Sequence, residues 1–352
     1  MFFRLAAKED ARHWSEFLER TQSGDFLHDW AWAEVAAFDG QPQRRYLLED
    51  GGSIVAIAAV QARPLVRGRA FWYVPHGPVL DYTDERAGER LRALVGWLKV
   101  TARDHGAIAV KLEPRLARGD RALVHFDQPD LRPLPDTLQV GQTRIVPLGS
   151  DDELLAAFDK DTRYSVRRSV REGVTAWVFE EPDDLRPVDD LHALVAETQQ
   201  RAGFPMPPLE RYRIAWHALA TAGRAAILEA RREDELLASA MVVFEGDRSF
   251  YLFSGSRREA SGEPKRFASY ALQWGMMQLA RQRGVRHHDL WGVAPTDAGP
   301  EHPWHGVGLF KKGFGGEEVA WAGSWDLIVD PAFYRLRATT GALREWLKGL
   351  RR

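Results

Sequence analysis

Cysteine is absent from all 352 residues. That excludes disulfides, thiol nucleophiles and thiolate metal sites. An excess of either charge is missing too: 48 lysines and arginines stand against 50 aspartates and glutamates, a formal net charge of −2. There is no global basic field, so a polyanionic partner must meet a local patch. No apolar run reaches the ~18 residues of a membrane span, and no signal peptide is read in the charged N-terminal segment. These features suit a reducing cytosol, and a cytoplasmic protein is expected.

Several sequence signatures of chemistry are also missing. Neither Gly-x-x-x-x-Gly-Lys-Ser/Thr nor Gly-x-Gly-x-x-Gly occurs, so no phosphate-cradling loop is read. No serine stands in a Gly-x-Ser-x-Gly elbow, and Gly255-Ser256-Arg257 does not make one. His287-His288-Asp289 looks metal-binding at first. Neighbours on a strand point to opposite faces, however, so the two histidines cannot readily share an ion, and no metal is expected.

What is present is a well-patterned α/β sequence. At this length two domains are expected, because one core rarely grows beyond about 250–300 residues. Trp14, Phe17 and Leu18 have helical spacing within residues 9–20. Residues 44–50 and 53–62 read as strands around an Asp50-Gly51-Gly52 turn. Phe71–Val74 is a third strand. Residues 85–105 form a helix with Leu91, Leu94, Val95, Leu98 and Ala102 on one stripe, closed by Gly106. Ala107–Leu112 is the next strand. Pro114–Pro135 reads as an irregular crossing segment.

The second half repeats this order. Strands at 225–231, 236–245 and 249–253 precede a helix at 266–283, closed by Gly284, and a strand at 285–290. Gly77 and Gly255 are 178 apart, as are Gly106 and Gly284. In that register Tyr73 meets Tyr251 and Leu98 meets Met276. A shared spacing across four elements argues for two copies of one α/β unit. Helices are also expected over 151–172, 185–202 and 208–222. A basic amphipathic helix is expected from Pro331 to Arg352, its Phe333, Leu336, Leu343 and Leu347 seeking cover. Contact of that tail with an acidic membrane surface is a lesser expectation.

Three stretches carry candidate chemistry. Gly308 to Gly316 holds Lys311 and Lys312 between aromatics and glycines. It reads as an edge strand, which solvated lysines before a glycine turn explain as well; its place after the second copy lets Lys311 face a cleft beside the Gly77–Asp81 loop, with Lys312 pointing the other way. Lys160 to Arg171 is the densest basic run. Arg163, Arg167 and Arg171 recur every fourth residue on one helical face beside Tyr164, which suits phosphates and a stacked base, although a solvated face explains such a run as well. Pro75 to Tyr82 is a rigid loop at a strand end, where α/β clefts open. His76 or Asp81 there can take a proton from an amine, or serve simply as a surface residue and a turn cap.

Four segments together resemble the Fem family of aminoacyl-tRNA-dependent peptidyltransferases. They are Phe26-Leu27-His28-Asp29-Trp30-Ala31-Trp32, Gly77-Pro78-Val79-Leu80-Asp81, Lys160 through Arg168 to Gly173-Val174, and Tyr251–Ser256 continuing to Phe310-Lys311-Lys312-Gly313-Phe314. The resemblance implies two tandem GNAT-like domains, 1–145 plus the returning 316–352, and 146–315, without the coiled-coil insertion of some members. It implies transfer of an amino acid from aminoacyl-tRNA to an amine of a peptidoglycan precursor, nucleotide- or lipid-linked, with no metal or coenzyme. Lys311 matches the family lysine proposed to stabilise charge during transfer, and Asp81 a family aspartate at the cleft. The expected substrate-binding set is Trp32, His76, Tyr251, Phe253 and Lys312. The expected tRNA set is Arg163, Tyr164, Arg167 and Arg171. The chain departs from the family pattern at Ala36, at His76 and at Met206-Pro207-Pro208. An acyl-coenzyme A N-acyltransferase on the same fold is the alternative. It needs an Arg/Gln-x-x-Gly-x-Gly/Ala stretch at a helix start, and Arg103 and Arg281 lie at helix ends instead.

Overall fold

The computed structural model describes residues 1–65, 68–203, 205–257, 267–295 and 298–339. Its contacts divide into two compact units. One comprises Met1–Gly141 with the returning Ala320–Arg352, the other Gln142–Val319. The sequence placed these crossings at 145 and 315.

The first unit opens with β1 (Phe2–Leu5), α1 (Ala11–Arg20), α2 (Trp32–Phe38), β2 (Gln43–Asp50), β3 (Ser53–Pro64), β4 (Ala70–Val74) and β5 (Val79–Leu80). It continues through α3 (Ala87–Asp104), β6 (Ala107–Leu112) and β7 (Leu131–Leu134). The second unit holds β8 (Gln142–Pro147), α4 (Asp151–Ala157), α5 (Lys160–Arg171), β9 (Val174–Phe179), α6 (Arg186–Ala202) and α7 (Leu209–Thr221). Then come β10 (Ala225–Arg232), β11 (Glu235–Glu245), β12 (Arg248–Ser256), α8 (Ala268–Gln282), β13 (His287–Gly292), α9 (His305–Lys312) and β14 (Glu317–Ala320). The chain finishes in the first unit with β15 (Ser324–Ile328) and α10 (Pro331–Thr339).

The first sheet runs β1-β2-β3-β4-β6-β15-β7, with β5 beside β3. Its parallel pair is β4–β6, joined by α3. The stripe Leu91, Leu94, Val95, Leu98 and Ala102 is buried against Tyr46, Val60, Trp72 and Val110. Each leucine or valine of that stripe contributes roughly 1.5–3 kcal/mol. On the other face Trp14, Phe17 and Leu18 of α1 cover Leu47, Ile57 and Ala59.

The second sheet runs β14-β8-β13-β12-β11-β10-β9. Its parallel pair is β12–β13, joined by α8. Ala271, Leu272, Met276 and Ala280 of α8 pack on Ala226, Leu228, Ala238 and Val242. Each unit is therefore a meander followed by one parallel crossover, the arrangement of a GNAT domain. The repeat read from the sequence is this topology. Gly106 and Gly284 both follow the crossover helix with left-handed φ of 72° and 76°, a conformation that glycine adopts without a Cβ penalty.

Three sequence expectations need correction, and one strand is added to them. Pro114–Pro135 is not wholly irregular: it contains a 3₁₀ stretch at Arg121–Phe126 and the sheet strand β7. The N-terminal Phe2–Leu5 is a strand paired with β2. Residues 308–312 are helical, not extended. In the tail Phe333 is half-buried but Leu336 is 58% exposed, so the α10 face is only partly covered. Leu343 and Leu347 lie outside the described residues.

Candidate active site

The second unit's parallel pair stops early. β12 and β13 are joined at Arg248–His287, Ser249–His288 and Phe250–Asp289. Beyond Asp289 the pairing of β13 with β8 shifts register before resuming at Gly292–Thr143, and Trp291 has a left-handed φ of 60°. The two parallel strands thus lose their shared hydrogen bonds at the level of Tyr251 and Leu290.

Lys311 fills this position from the last turn of α9. Its Nζ donates to the Gly292 carbonyl at 2.7 Å and lies 5.6 Å from the centre of the Tyr251 ring. It thereby touches both strands where their pairing has ended. The residue is only 6% exposed, and burial pulls its pKa from 10.5 to about 8, with Asp289 acting in the opposite sense. An ammonium has three donors. Among the described residues the bond to Gly292 is the one hydrogen bond it makes.

Lys312 is exposed. The two lysines do diverge, but by the roughly 100° step of a helix rather than the alternation of a strand. The glycines that follow approach protein rather than ligand. A Cβ on Gly313 would fall 2.1 Å from Thr162 Oγ1 of α5, and one on Gly316 would fall 2.3 Å from the Ile145 carbonyl of β8. Arg144 Nη1 donates to the Gly315 and Gly316 carbonyls at 3.1 and 3.0 Å, holding this exit against β8.

The strand pair below the lysine carries a buried polar network. His288 Nδ1 meets Ser249 Oγ at 2.8 Å and its Nε2 meets Gln273 Oε1 at 3.3 Å. Burial holds this imidazole down to about 4. Asp289 accepts from Thr143 Oγ1 and, at 2.8 Å, from the Trp291 amide. His287 turns the other way, with Nδ1 3.4 Å from Asp247. The sequence reading passed over Ser249, Gln273 and Asp289.

Beside α5 lies a groove of about 660 Å³. Among the described residues Leu155, Val166 and Trp274 line it together with Lys160, Arg163, Arg167 and Arg171, without an acidic residue. Tyr164 is 51% exposed, with the Arg171 guanidinium 5.9 Å from its ring centre. Arg163 differs from Arg167 and Arg171. Its Nη1 donates to the Leu155 carbonyl at 2.9 Å and the Phe158 carbonyl at 3.5 Å, bracing the α4–α5 corner.

The first unit gathers the other candidates. His76 does not face solvent: it is 2% exposed, at φ 45°, with Nδ1 bonded to the Asp25 carboxylate. Burial works to raise the Asp25 pKa, but His76, Arg115 and His28 outweigh it and the net direction is down. Arg115 lies 3.8 Å from the same carboxylate and 4.8 Å from the Trp321 ring centre. His28 is fully buried, and burial lowers its pKa to about 4. Trp32 is also buried, edge-on to Phe26 at 4.9 Å. Asp81 is exposed, and its carboxylate accepts from the Thr83 amide at 2.9 Å and hydroxyl at 2.6 Å. It borders a cavity of about 930 Å³ that also meets Arg20, Arg115 and Arg121. Phe253, in the second unit, packs on Tyr212 at 4.5 Å beneath Arg211.

Among the described residues no group of three or more histidines, aspartates or glutamates could hold a metal ion, and no helix is long and apolar enough to cross a membrane.

Known proteins match this arrangement along nearly its whole length. The lipid II:glycine glycyltransferase of Staphylococcus aureus (strain MRSA252) is 23% identical over 398 residues, covering 91% of this chain and 92% of its own. That of Staphylococcus epidermidis (strain ATCC 12228 / FDA PCI 1200) is 21% identical over 393 residues, with the same coverage. The crystal structure of FemX superposes with a TM-score of 0.84 at 21% identity, covering 96% of this chain and 99% of that one. A tandem GNAT protein from the clavulanic acid biosynthesis pathway follows the same fold at a TM-score of 0.53, 14% identity and coverage of 94% and 99%. The FemAB family description itself matches residues 10–126 and 221–340, which include both parallel crossovers and the lysine between the parted strands, and the chain belongs to the FemAB family.

Proposed function

We propose that this protein is an aminoacyltransferase that moves an amino acid from aminoacyl-tRNA to an amine of a peptidoglycan precursor. The observation that carries the reading is the buried ammonium of Lys311 held between β12 and β13. The amine nitrogen attacks the ester carbonyl carbon. The carbon–nitrogen bond forms and the carbonyl oxygen becomes an oxyanion. Collapse then breaks the ester bond, and the ribose oxygen leaves with a proton while the amine loses one. A fixed cation in a water-poor position stabilises the oxyanion more than the neutral ester, so it lowers the barrier selectively. Tyr251 supports the cation through its ring face, and Lys312 is offered to substrate.

The α5 groove is our candidate for the tRNA acceptor end. Arg167, Arg171 and Lys160 suit its phosphates, and Tyr164 suits a stacked base. Arg163 shapes this surface rather than serving as a third open cation. The cavity at Asp81 in the first unit is our candidate for the acceptor, and Asp81 is our candidate for a group that meets it there. His76 acts there by fixing the loop through Asp25. The relatives named above act on lipid II, which makes a lipid-linked acceptor the first to test; its lipid anchor would bring the protein to a membrane surface.

The test mixes the protein with a charged-tRNA pool and with nucleotide-linked or lipid-linked precursors, and reads the mass of each precursor. A gain of one aminoacyl residue is expected, and Lys311→Ala should reduce its rate at least tenfold, about 1.4 kcal/mol in the barrier. A gain of an acetyl group from acetyl-coenzyme A, with none from charged tRNA, would replace this reading by the acyl-coenzyme A alternative.

A further inference from the structure

Lys311 is aimed by residues outside its own helix. Its acceptor is the carbonyl of Gly292. That carbonyl stands one residue beyond Trp291, whose left-handed backbone bends β13 away from β12. A tryptophan does not favour this conformation, so something must hold it. Asp289 provides that hold. Its carboxylate is fully buried and accepts from the Trp291 amide at 2.8 Å. It is tied in turn to Thr143 Oγ1 on β8, and Thr143 is the register partner of Gly292. The Thr143–Asp289–Trp291 connection therefore ends one residue before the carbonyl that accepts from Lys311.

We propose that Asp289 is the positioning residue of this site, fixing the bend that aims the Gly292 carbonyl at Lys311 and supplying the negative charge opposite the buried ammonium. This rests on the reading of Lys311 as the catalytic cation. Among the described residues, few groups face Lys311. Tyr251 of β12 presents its ring, and burial raises its hydroxyl pKa, so it stays neutral near pH 8. His288 of β13 is kept neutral by burial. Asp289 is the group that acts to raise the Lys311 pKa against burial. Without it, the ammonium keeps the burial that disfavours charge and loses the charge that opposes this.

The proposal separates geometry from charge. In Asp289→Asn the side-chain oxygen can still accept from the Trp291 amide, but the charge is gone. In Thr143→Val the carboxylate remains and one of its supports is gone. The measurement is the titration of Lys311 in the full chain carrying 13C-labelled lysine, with the resonance identified by its loss in Lys311→Arg. The midpoint should be near 8 in the unaltered protein. It should fall by at least about one pH unit in Asp289→Asn and by less than half as much in Thr143→Val. The high-pH limb of kcat should move with it, while KM for charged tRNA changes less than twofold. An unchanged midpoint in a folded Asp289→Asn protein would overturn the proposal, because a merely structural aspartate predicts that result. If the midpoint falls but no form of the protein transfers an aminoacyl group, the hold of Asp289 on Lys311 stands and the reading of the reaction fails instead.

Discussion

The ammonium of Lys311 lies 5.6 Å from the centre of the Tyr251 ring. That distance lets the ring's negative face support the charge in a place where little water can. Tyr251→Phe keeps the face and should retain most of the transfer rate. Tyr251→Leu removes it, losing about 1–2 kcal/mol, or roughly five- to thirtyfold in kcat. Transfer at the unaltered rate by the leucine variant would detach Tyr251 from the mechanism.

The pH dependence follows from the same lysine. Burial brings its pKa down to about 8, so the cation is present below that pH and disappears above it. An oxyanion-stabilising role therefore predicts a rate that declines as pH rises through 8. A general base would show the reverse, gaining activity across that range. Single-turnover rates between pH 6 and pH 10 decide between the two.

The arginine run should divide into two behaviours. Arg167 and Arg171 line the groove on exposed stretches of α5, so changing both to alanine should weaken tRNA binding and reduce its salt slope by roughly two. Arg163 braces the Leu155 and Phe158 carbonyls. Its alanine variant should lose about 1–3 kcal/mol of folding stability, with the salt slope nearly unchanged. Filter binding at several salt concentrations and urea unfolding test the pair. Equal effects of all three on the slope would contradict the division.

Acid should destabilise the protein through its buried histidines. His28 and His288 both fall from 6.5 to about 4 in the folded state, with burial as the first cause. The unfolded chain therefore binds more protons than the native one between those values. Their contribution is fully present above pH 6.5 and is lost as pH falls toward 4, by up to about 3 kcal/mol for each ring. His28→Gln should flatten the dependence of the urea midpoint on pH over that interval. A midpoint equally steep in the variant would show that His28 is not the group concerned.

Much of the architecture was legible because its signals are local. The Leu91–Ala102 stripe and the Gly106 and Gly284 stops mark helix and boundary within a few residues. The 178-residue offset links two such local patterns. Strands such as Phe2–Leu5 and Val174–Phe179 were harder to see, since a four- to six-residue edge strand has too few positions to show a period. Gly306 and Gly308 disfavour a helix ahead of Lys311. Packing against Tyr270 and Phe314 through Phe310 outweighs that propensity. His76 carries no local mark of burial. Its partner Asp25 is 51 residues away, and such a pairing is decided by the fold.

The seat of β15 between β6 and β7 has a consequence for the order of biosynthesis. The whole of the second unit has been translated by Val319, five residues before β15 begins. It can therefore close on itself while the first unit still waits, with β6 presenting a bare edge and β7 lacking its sheet neighbour. A chain cut between Val319 and Ser324 would hold every strand of the second unit beside an open first one. Such an edge is a template for foreign strands, so a chaperone that attends this nascent chain has most to shield in the half that emerged first.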